Sequence, residues 1–338
     1  MPALFPAVGP VFYRLGPGLI ASVVVAAAAT FLSEHYGAPV MLFALLLGMA
    51  MNFLSTEGRC VAGIEFTARQ VLRVGVALLG LRITTAQVAA LGWEPVALVV
   101  GSVVVTIVVS MAVARLMGFQ DLFGLLTGGA TAICGASAAL ALAAALPQHP
   151  MKERATLFTV IGVSALSTLA MIAYPMIARA LDLGPVPAGI FLGATIHDVA
   201  QVVGAGYSLS PQTGDVATLV KLMRVAMLLP VIVFAALVTR ARSGAEGGTR
   251  PPLLPWFAVA FAVLVAINST GVVPDVVRGL GHEASRWCLV ASIAAIGMKT
   301  QLRELATVGL RPVLLMFGET VFLAALVLGV LTLRGWPV

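Results

Sequence analysis

The feature that most constrains this chain is a series of eleven apolar stretches with little polar sequence between them. A helix needs roughly 20 apolar residues to cross a bilayer, and most of the stretches approach or reach that length. Only 10% of the residues are charged, against about 25% in a soluble domain, so lipid is the solvent of most of this surface. The sequence predicts an all-α, polytopic transmembrane helix bundle. The stretches lie near residues 17–34, 38–54, 66–81, 93–117, 120–146, 155–181, 186–208, 216–240, 253–273, 285–298 and 312–333.

The connections between the stretches predict one domain and an orientation. The longest polar connection, 240–252, is rich in glycine and too short for a second domain, so we expect a single transmembrane domain over residues 1–338. Lys and Arg are more numerous beside the stretch ends on the N-terminal side, and cytoplasmic loops carry such an excess. We therefore expect a cytoplasmic N-terminus and a C-terminus on the other side. The same loops account for the net charge of +6, so we expect the lipid bilayer and no nucleic acid as a partner.

An internal repeat is visible in the sequence. Residues 80–101 match residues 297–318 at a constant offset of 217, and a weaker echo pairs residues 129–131 with 193–195. Inverted repeats are a common way to build a transporter. All copies are inverted if the stretches at 120–146 and 186–208 are re-entrant hairpins. Broken spanning helices give the same pairs, and both interpretations stay open.

The first segment that indicates chemistry is 128–138, which contains Thr131, Cys134, Gly135 and Ser137 among several glycines. Glycine lowers helix stability by about 1 kcal/mol against alanine, so the helix can open here. Backbone N–H groups freed by such a break need partners, and a bound anion is one. The alternative is a tight helix crossing, because small residues let backbones approach closely.

The second segment is 193–201, where Thr195, His197, Asp198 and Gln201 interrupt an apolar stretch. A central Asp costs about 3 kcal/mol to insert into a bilayer, and such groups usually face a cavity or the bundle interior. We therefore expect this segment to meet the first one near the midplane. The alternative is that Asp198 lies at a hairpin tip or an interface and is only solvated.

Charged side chains inside other stretches are further candidates. Lys221 and Arg224 are three residues apart and share a helix face; they either supply positive charge to a substrate or serve structure, Lys221 by snorkelling and Arg224 by pairing with Asp198. Glu319 is a lone carboxylate in the last stretch, either a proton carrier or a partner for an arginine. Asp198 and Glu319 are our candidates for ion coupling. A charged ladder at Glu65, Arg69 and Arg73 is either an ion-pair stripe or part of a substrate path.

Several classes of protein are disfavoured. Cys134, His197 and Asp198 do not form a catalytic triad, because adjacent residues point in different directions on a helix. The sequence shows no metal-ligand spacing and no Walker A motif, and its three cysteines form no disulfide framework. We expect no enzymatic activity, no metal and no cofactor.

Three short motifs carry a resemblance to a known family. They are Thr131-Ala-Ile-Cys-Gly-Ala-Ser-Ala, Ile196-His-Asp-Val-Ala-Gln-Val-Val and Val220-Lys-Leu-Met-Arg. Their order and spacing resemble the YeiH-like family of bacterial inner-membrane proteins, a family named for sulfate export, which is similar in pattern to the bile-acid, arsenite and riboflavin transporter superfamily. Ala130 departs from the glycine expected in that family.

The resemblance implies a secondary transporter in the bacterial inner membrane that exports a small anion such as sulfate or a sulfonate, and the charges of the loops favour a C-terminus in the periplasm. The expected substrate-binding residues are Thr131, Cys134, Gly135, Ser137, Thr195, His197, Gln201, Lys221 and Arg224. Two alternatives remain: a proton- or sodium-coupled cation transporter of the same fold, with Asp198 binding the cation, and a membrane sensor or scaffold without transport. A homodimer is an option that the sequence leaves open.

Overall fold

The structure is a computed structural model that describes residues 8–36, 40–146, 151–243, 256–300 and 309–333. Within these ranges the chain is helical and contains no strand, which confirms the predicted class. Among the described residues, five helical segments are long and apolar enough to cross a membrane: Tyr13–Tyr36, Glu94–Leu116, Lys152–Ala180, Pro211–Ala235 and Leu310–Leu333. The chain divides into two compact units. The prediction of one transporter domain stays a prediction.

The first unit comprises Met1–Gln87 and Trp256–Gln301. Close backbone approaches hold it together, because Gly18 packs on Gly63 and Gly48 packs on Gly297 with no side chain between them. Its helices are α1 (Val8–Tyr36), α2 (Val40–Ala50), α3 (Val61–Phe66), α4 (Leu72–Leu78), α14 (Trp256–Ser269) and α15 (Asp275–Lys299), and α5 (Thr85–Ala90) follows at its edge.

The charged ladder of this unit is an ion-pair cluster on an exposed face. Arg69 Nε lies 2.6 Å from Glu65 Oε1, and Lys299 donates to the other carboxylate oxygen of Glu65. Arg73 instead contacts Gln70, because a π-helical turn over Thr67–Val71 shifts the following residues out of the i+4 register. The geometry favours the ion-pair alternative for this ladder.

The second unit comprises Val88–Pro255 and Leu302–Val338 and contains every candidate substrate residue. Its helices are α6 (Glu94–Leu116), α7 (Asp121–Ala132), α8 (Ala136–Ala145), α9 (Lys152–Ala180), α10 (Pro185–Thr195), α11 (Val199–Leu209), α12 (Pro211–Ala226), α13 (Leu228–Ser243) and α16 (Leu310–Leu333).

Helices α7 and α8 form a hairpin. A Cβ built on Gly129 would lie 2.4 Å from Leu142 Cδ1, although thirteen residues of continuous helix would separate the two by about 20 Å. The chain reverses at Ile133–Gly135, where Gly135 has a φ of +64° and a ψ of −129°. Only glycine adopts such a conformation without strain, so this position fixes the reversal.

Helices α10 and α11 form a second hairpin. Cβ atoms built on Gly193 in α10 and on Gly206 in α11 would lie 2.5 Å from the Ala217 carbonyl oxygen and 3.1 Å from the Ala217 Cβ. Both arms therefore pack on α12 at the same level and run away from a tip at Ile196–Asp198.

The structure thus resolves the alternative between hairpins and broken spanning helices in favour of hairpins. The four arms contain 12, 10, 11 and 11 residues, or about 15–18 Å each, roughly half of a 30 Å hydrocarbon core. The interruptions lie within the predicted segments 128–138 and 193–201.

Local structure agrees with the longer internal repeat. Gly92 and Gly309, which the offset of 217 pairs, both have positive φ, at 72° and 91°. Leu116 and Leu333, which the same offset pairs, are the last residues of helices α6 and α16. These helices are antiparallel, because late Ser110 contacts early Glu319 whereas the start of α6 shares a groove with the end of α16. The inverted superposition of both whole copies stays a prediction.

Candidate functional site

The tips of the two hairpins meet at one junction. A Cβ built on Gly135 would lie 3.6 Å from the His197 Cβ. The His197 ring is fully buried, with Nδ1 3.0 Å from the Thr131 carbonyl oxygen and Nε2 3.0 Å from Thr320 Oγ1 on α16. Both ring nitrogens are therefore engaged, and His197 ties the hairpins and α16 together.

Arg224 on α12 binds the backbone of both hairpins. Its Nε donates to the Ala132 carbonyl oxygen at 2.8 Å and its Nη2 to that of Thr131 at 2.8 Å. Its Nη1 donates to the carbonyl oxygens of Ile196 at 3.0 Å and Gly193 at 3.2 Å. These carbonyls are the unpaired C-terminal groups of α7 and α10. The guanidinium group caps both helices and offsets the negative ends of their dipoles.

Lys221 does the same one turn earlier on α12. Its Nζ donates to the Ile133 carbonyl oxygen at 2.6 Å and to the Ile196 carbonyl oxygen at 2.9 Å. It is fully buried, so snorkelling to an interface does not describe it. Two cations therefore sit under the hairpin tips as fixed charges, and their roles as direct ligands of a substrate stay predictions.

Asp198 caps the N-terminus of α11. Its Oδ1 accepts from the Ala200 N–H at 2.8 Å, its own N–H donates to Ser167 Oγ, and its carboxylate interacts electrostatically with Lys221. Gln201 donates through Nε2 to Thr168 Oγ1 at 2.9 Å. Gln201 Oε1 is buried without a hydrogen-bond partner among the described residues.

Four described residues at the junction are accessible. Ser137 is exposed, and Ala136, Asp198 and Val199 are partly exposed, whereas the residues on both sides of them are buried. These four residues, which we call the open side, directly follow the Gly135–His197 contact in each hairpin. The N-cap residue of α8 is Gly135, which has no side chain to cap the helix, and the N–H groups of Ala136 and Ser137 lie at the open side.

Glu319 lies behind the junction among hydroxyl groups. It is buried, and its carboxyl oxygens lie 2.5 Å from Ser110 Oγ, 2.7 Å from Thr127 Oγ1 and 3.0 Å from Thr131 Oγ1. No arginine or lysine contacts it in the described part of the chain, so its partners there are hydroxyl groups. Thr131 connects the two sites, because its hydroxyl binds Glu319 and its carbonyl binds Arg224.

The remaining candidates lie at or near the junction but inside the protein. Cys134 is buried at the first tip. Thr195 is buried and donates to the Phe191 carbonyl oxygen of its own helix at 2.6 Å, so its hydroxyl serves the helix.

Sequence reasoning missed the hydroxyl residues that surround these groups: Ser110, Thr127, Ser167, Thr168 and Thr320. Single hydroxyls in apolar helices usually bond to their own backbone, so none of them stands out. One signal was available in α6, where Ser102, Thr106 and Ser110 recur every four residues and share one buried face.

This architecture, with two helical hairpins packed inside an apolar helix bundle, defines a polytopic helical membrane protein. The chain belongs to the UPF0324 family of membrane proteins: the family model described as "Conserved hypothetical protein 698" matches residues 17–316. This result confirms the resemblance to the YeiH-like family. The relation to the bile-acid, arsenite and riboflavin transporter superfamily stays a prediction.

Relatives cover nearly the whole chain. A UPF0324 membrane protein of Chlorobaculum tepidum is 57% identical over 320 residues, which are 94% of this chain and 89% of the relative. The membrane protein TauZ of Paracoccus denitrificans is 54% identical over 314 residues, 92% of this chain and 93% of the relative. A UPF0324 membrane protein of Rhizobium meliloti is 54% identical over 315 residues, 93% of this chain and 91% of the relative. No solved structure matches the chain significantly.

Proposed function

We propose that this protein is a secondary transporter that carries a small anion, such as sulfate or a sulfonate, across the bacterial inner membrane. The observation that carries the proposal is the contrast between helix ends at the junction. Both C-termini, of α7 and α10, are buried and capped by Lys221 and Arg224, whereas the N-cap residue of α8 is a glycine without a side chain and the N–H groups of Ala136 and Ser137 lie at the open side. A helix N-terminus binds anions through its free N–H groups and its positive dipole end.

The charge at the junction supports an anion. Among the described residues, Lys221 and Arg224 are opposed there by one carboxylate, Asp198, which is already engaged as the cap of α11. Inside a low-dielectric bundle these fixed charges act over several ångströms without touching the solute. The anion is bound by the N–H groups of Ala136 and Ser137 and by the Ser137 hydroxyl.

The direction follows from the membrane potential. A potential that is negative inside is worth about 2.3 kcal/mol per elementary charge per 100 mV, so it drives anions out of the cell. Antiparallel α6 and α16, placed at the offset of the sequence repeat, support a mechanism in which inverted repeats expose the site alternately on the two sides. The N-terminus lies in the cytoplasm and the C-terminus in the periplasm in this proposal, as the charges of the loops indicate.

The test is sulfate efflux from proteoliposomes under a potassium diffusion potential, with an aliphatic sulfonate as a second cargo. Ser137→Asp places a carboxylate over the free N–H groups of α8, and Ser137→Asn is a neutral control of the same size. We expect saturable efflux that the Asp variant loses and the Asn variant keeps. Equal efflux from both variants would show that the anion does not bind at Ser137. No efflux from the parent would favour a sensor or scaffold.

One observation favours a second candidate, a cation transporter of the same fold. Gln201 Oε1 is an acceptor that lacks a partner within the described residues, three positions after the partly exposed carboxylate of Asp198. A cation held between them would meet two oxygens. Uptake of sodium or an amine that competes with proton flux and ignores sulfate would support this candidate over the anion transporter.

A further inference from the structure

The hydrogen bonds around Glu319 indicate whether its carboxyl group carries a proton. Four oxygen–oxygen contacts are short: Ser110 Oγ lies 2.7 Å from the Gly124 carbonyl oxygen and 2.5 Å from Glu319 Oε1, and Thr127 and Thr131 lie 2.7 Å and 3.0 Å from the carboxyl oxygens. Two oxygens at such distances need a proton between them.

The three hydroxyls supply three protons, and the Gly124 carbonyl supplies none. Ser110 cannot donate to Gly124 and Glu319 at once. The count closes when Glu319 carries the fourth proton: Glu319 donates to Ser110, Ser110 donates to the Gly124 carbonyl, and Thr127 and Thr131 donate to the carboxyl group. The pocket is therefore built for a protonated carboxyl group.

A polar path leads from this pocket along α6. Ser102, Thr106 and Ser110 are all buried and recur at i, i+4 and i+8 on one face. Thr106 Oγ1 has no hydrogen-bond partner in the part of the chain that the structure describes. Ser102 lines a groove of about 260 Å³ between α6 and α16, which also includes Glu94 at the start of α6.

The spacing of the three hydroxyls suits water. Residues four apart on a helix are separated by about 6 Å along its axis, which is about two hydrogen bonds of 2.8 Å. One water molecule between each pair of hydroxyls completes a chain and satisfies Thr106, since a buried polar group without a protein partner is usually hydrated.

We propose that Glu319 binds and releases a proton that travels with the anion, and that Ser102, Thr106 and Ser110 conduct this proton between the groove and Glu319. Each hydroxyl group and each bridging water accepts a proton on its oxygen and passes one of its own onward, so one proton enters at the groove and one adds to Glu319 Oε1. This inference rests on the proposed anion transport.

Electrostatics couples the two ligands. When Glu319 is neutral, Asp198 is the one carboxylate that opposes Lys221 and Arg224 among the described residues. An ionised Glu319 adds a second negative charge, and Thr131 contacts both Glu319 and Arg224. The proton therefore strengthens anion binding, and by linkage the anion strengthens proton binding. A divalent anion with one proton still carries a net negative charge outward.

No other titratable group on the described parts of the packed helices contacts Glu319. His197 and Tyr174 both bond to Thr320, the residue that follows Glu319. Arg115 and Asp121 pair with each other. The remaining charged residues of the helices packed on α16, together with that helix's own arginine, are Glu94, Lys152, Glu153, Arg154, Arg179 and Arg311.

The experiment measures proton movement and sulfate efflux together in proteoliposomes that contain a pH-sensitive dye. In the parent protein, we expect sulfate efflux to carry protons and sulfate affinity to fall as the pH rises. In Glu319→Gln, we expect proton movement to vanish and sulfate affinity to lose its pH dependence. Glu283→Gln, at an exposed carboxylate of α15, is the control and should match the parent.

The path is tested with the isosteric variant Thr106→Val. We expect proton-coupled efflux to slow by about tenfold or more, because losing one hydrogen-bonded step raises the barrier by about 1.4 kcal/mol. Thr159→Val is the control, since the Thr159 hydroxyl bonds to its own helix. A rate equal to that of the control overturns the path.

Infrared difference spectroscopy reports the proton independently of transport. The parent should show the carbonyl band of a buried carboxylic acid that disappears on raising the pH and that Glu319→Gln lacks. Absence of this band overturns the proton site. Sulfate efflux that needs sodium and moves no protons overturns the coupling and leaves the proposed function standing, whereas absence of efflux with the band present overturns the proposed function.

Discussion

Replacing Arg224 with glutamine tests whether this side chain holds the hairpin tips or only binds substrate. The change removes four donor contacts to carbonyl oxygens of Thr131, Ala132, Gly193 and Ile196, at distances of 2.8–3.2 Å. Hydrogen bonds to charged groups are worth about 1.5–3 kcal/mol each, but contacts of one group are not additive. Losing one partner of a buried charged network costs about 3–5 kcal/mol, and we expect a loss in this range.

The assay is thermal melting of detergent-purified protein followed by tryptophan fluorescence. A change of 1 kcal/mol shifts the midpoint by about 2–4 °C in domains of 150–250 residues, so we expect a fall of roughly 6–20 °C. Arg224→Lys keeps the charge and loses the planar fork, so its midpoint should lie between those of the parent and Arg224→Gln.

The control is Arg179→Gln, which removes an exposed arginine that makes one carbonyl contact at 3.2 Å. Its midpoint should stay near that of the parent. If the melting midpoint of Arg224→Gln equals that of the Arg179→Gln control and the variant loses only sulfate affinity, the capping role is refuted and Arg224 is a direct ligand.

Three further substitutions test individual parts of the junction. Gly135→Ala forces a Cβ into a conformation with φ at +64° and should cost about 1–3 kcal/mol in the same melting assay; an unchanged midpoint would mean that the first tip does not need this turn. Thr195→Val should leave sulfate affinity unchanged in calorimetric titration, because its hydroxyl bonds to the Phe191 carbonyl; a clear loss would place Thr195 at the anion. Lys221→Met removes two carbonyl contacts and one fixed charge, so it should lower stability by about 2–4 kcal/mol and weaken sulfate binding, and an effect on neither quantity would contradict both assignments.

The sequence predicts the helix interruptions because local chemistry determines them. Gly128, Gly129 and Gly135 weaken a helix, and Asp198 is a strong N-cap, so the breaks near residues 133 and 197 follow from residue types. The direction of the chain after each break does not follow. It depends on tertiary contacts such as Gly129 with Leu142 and Gly193 with Ala217, which no local pattern encodes.

The sequence shows which charged residues lie in apolar stretches but does not show their partners. A buried arginine satisfies its donors equally well with an anion, a carboxylate or helix carbonyls, and residue spacing does not distinguish these. Arg224 binds carbonyls because the C-termini of α7 and α10 end beside it. For Glu319 the sequence left open a proton carrier or a partner for an arginine. Hydroxyl groups of α6 and α7 surround its carboxyl group, because α6 and α16 pack antiparallel.

The most direct measurement of the central claim is crystallography of the protein with selenate, a sulfate analogue whose selenium gives an anomalous signal. We predict one anomalous peak at the open side, within hydrogen-bonding distance of the Ala136 and Ser137 N–H groups, in the parent protein and in Ser137→Asn. We predict its absence from Ser137→Asp under the same conditions. A peak that persists in Ser137→Asp, or one that appears only away from the hairpin tips, would contradict the anion site proposed for this protein.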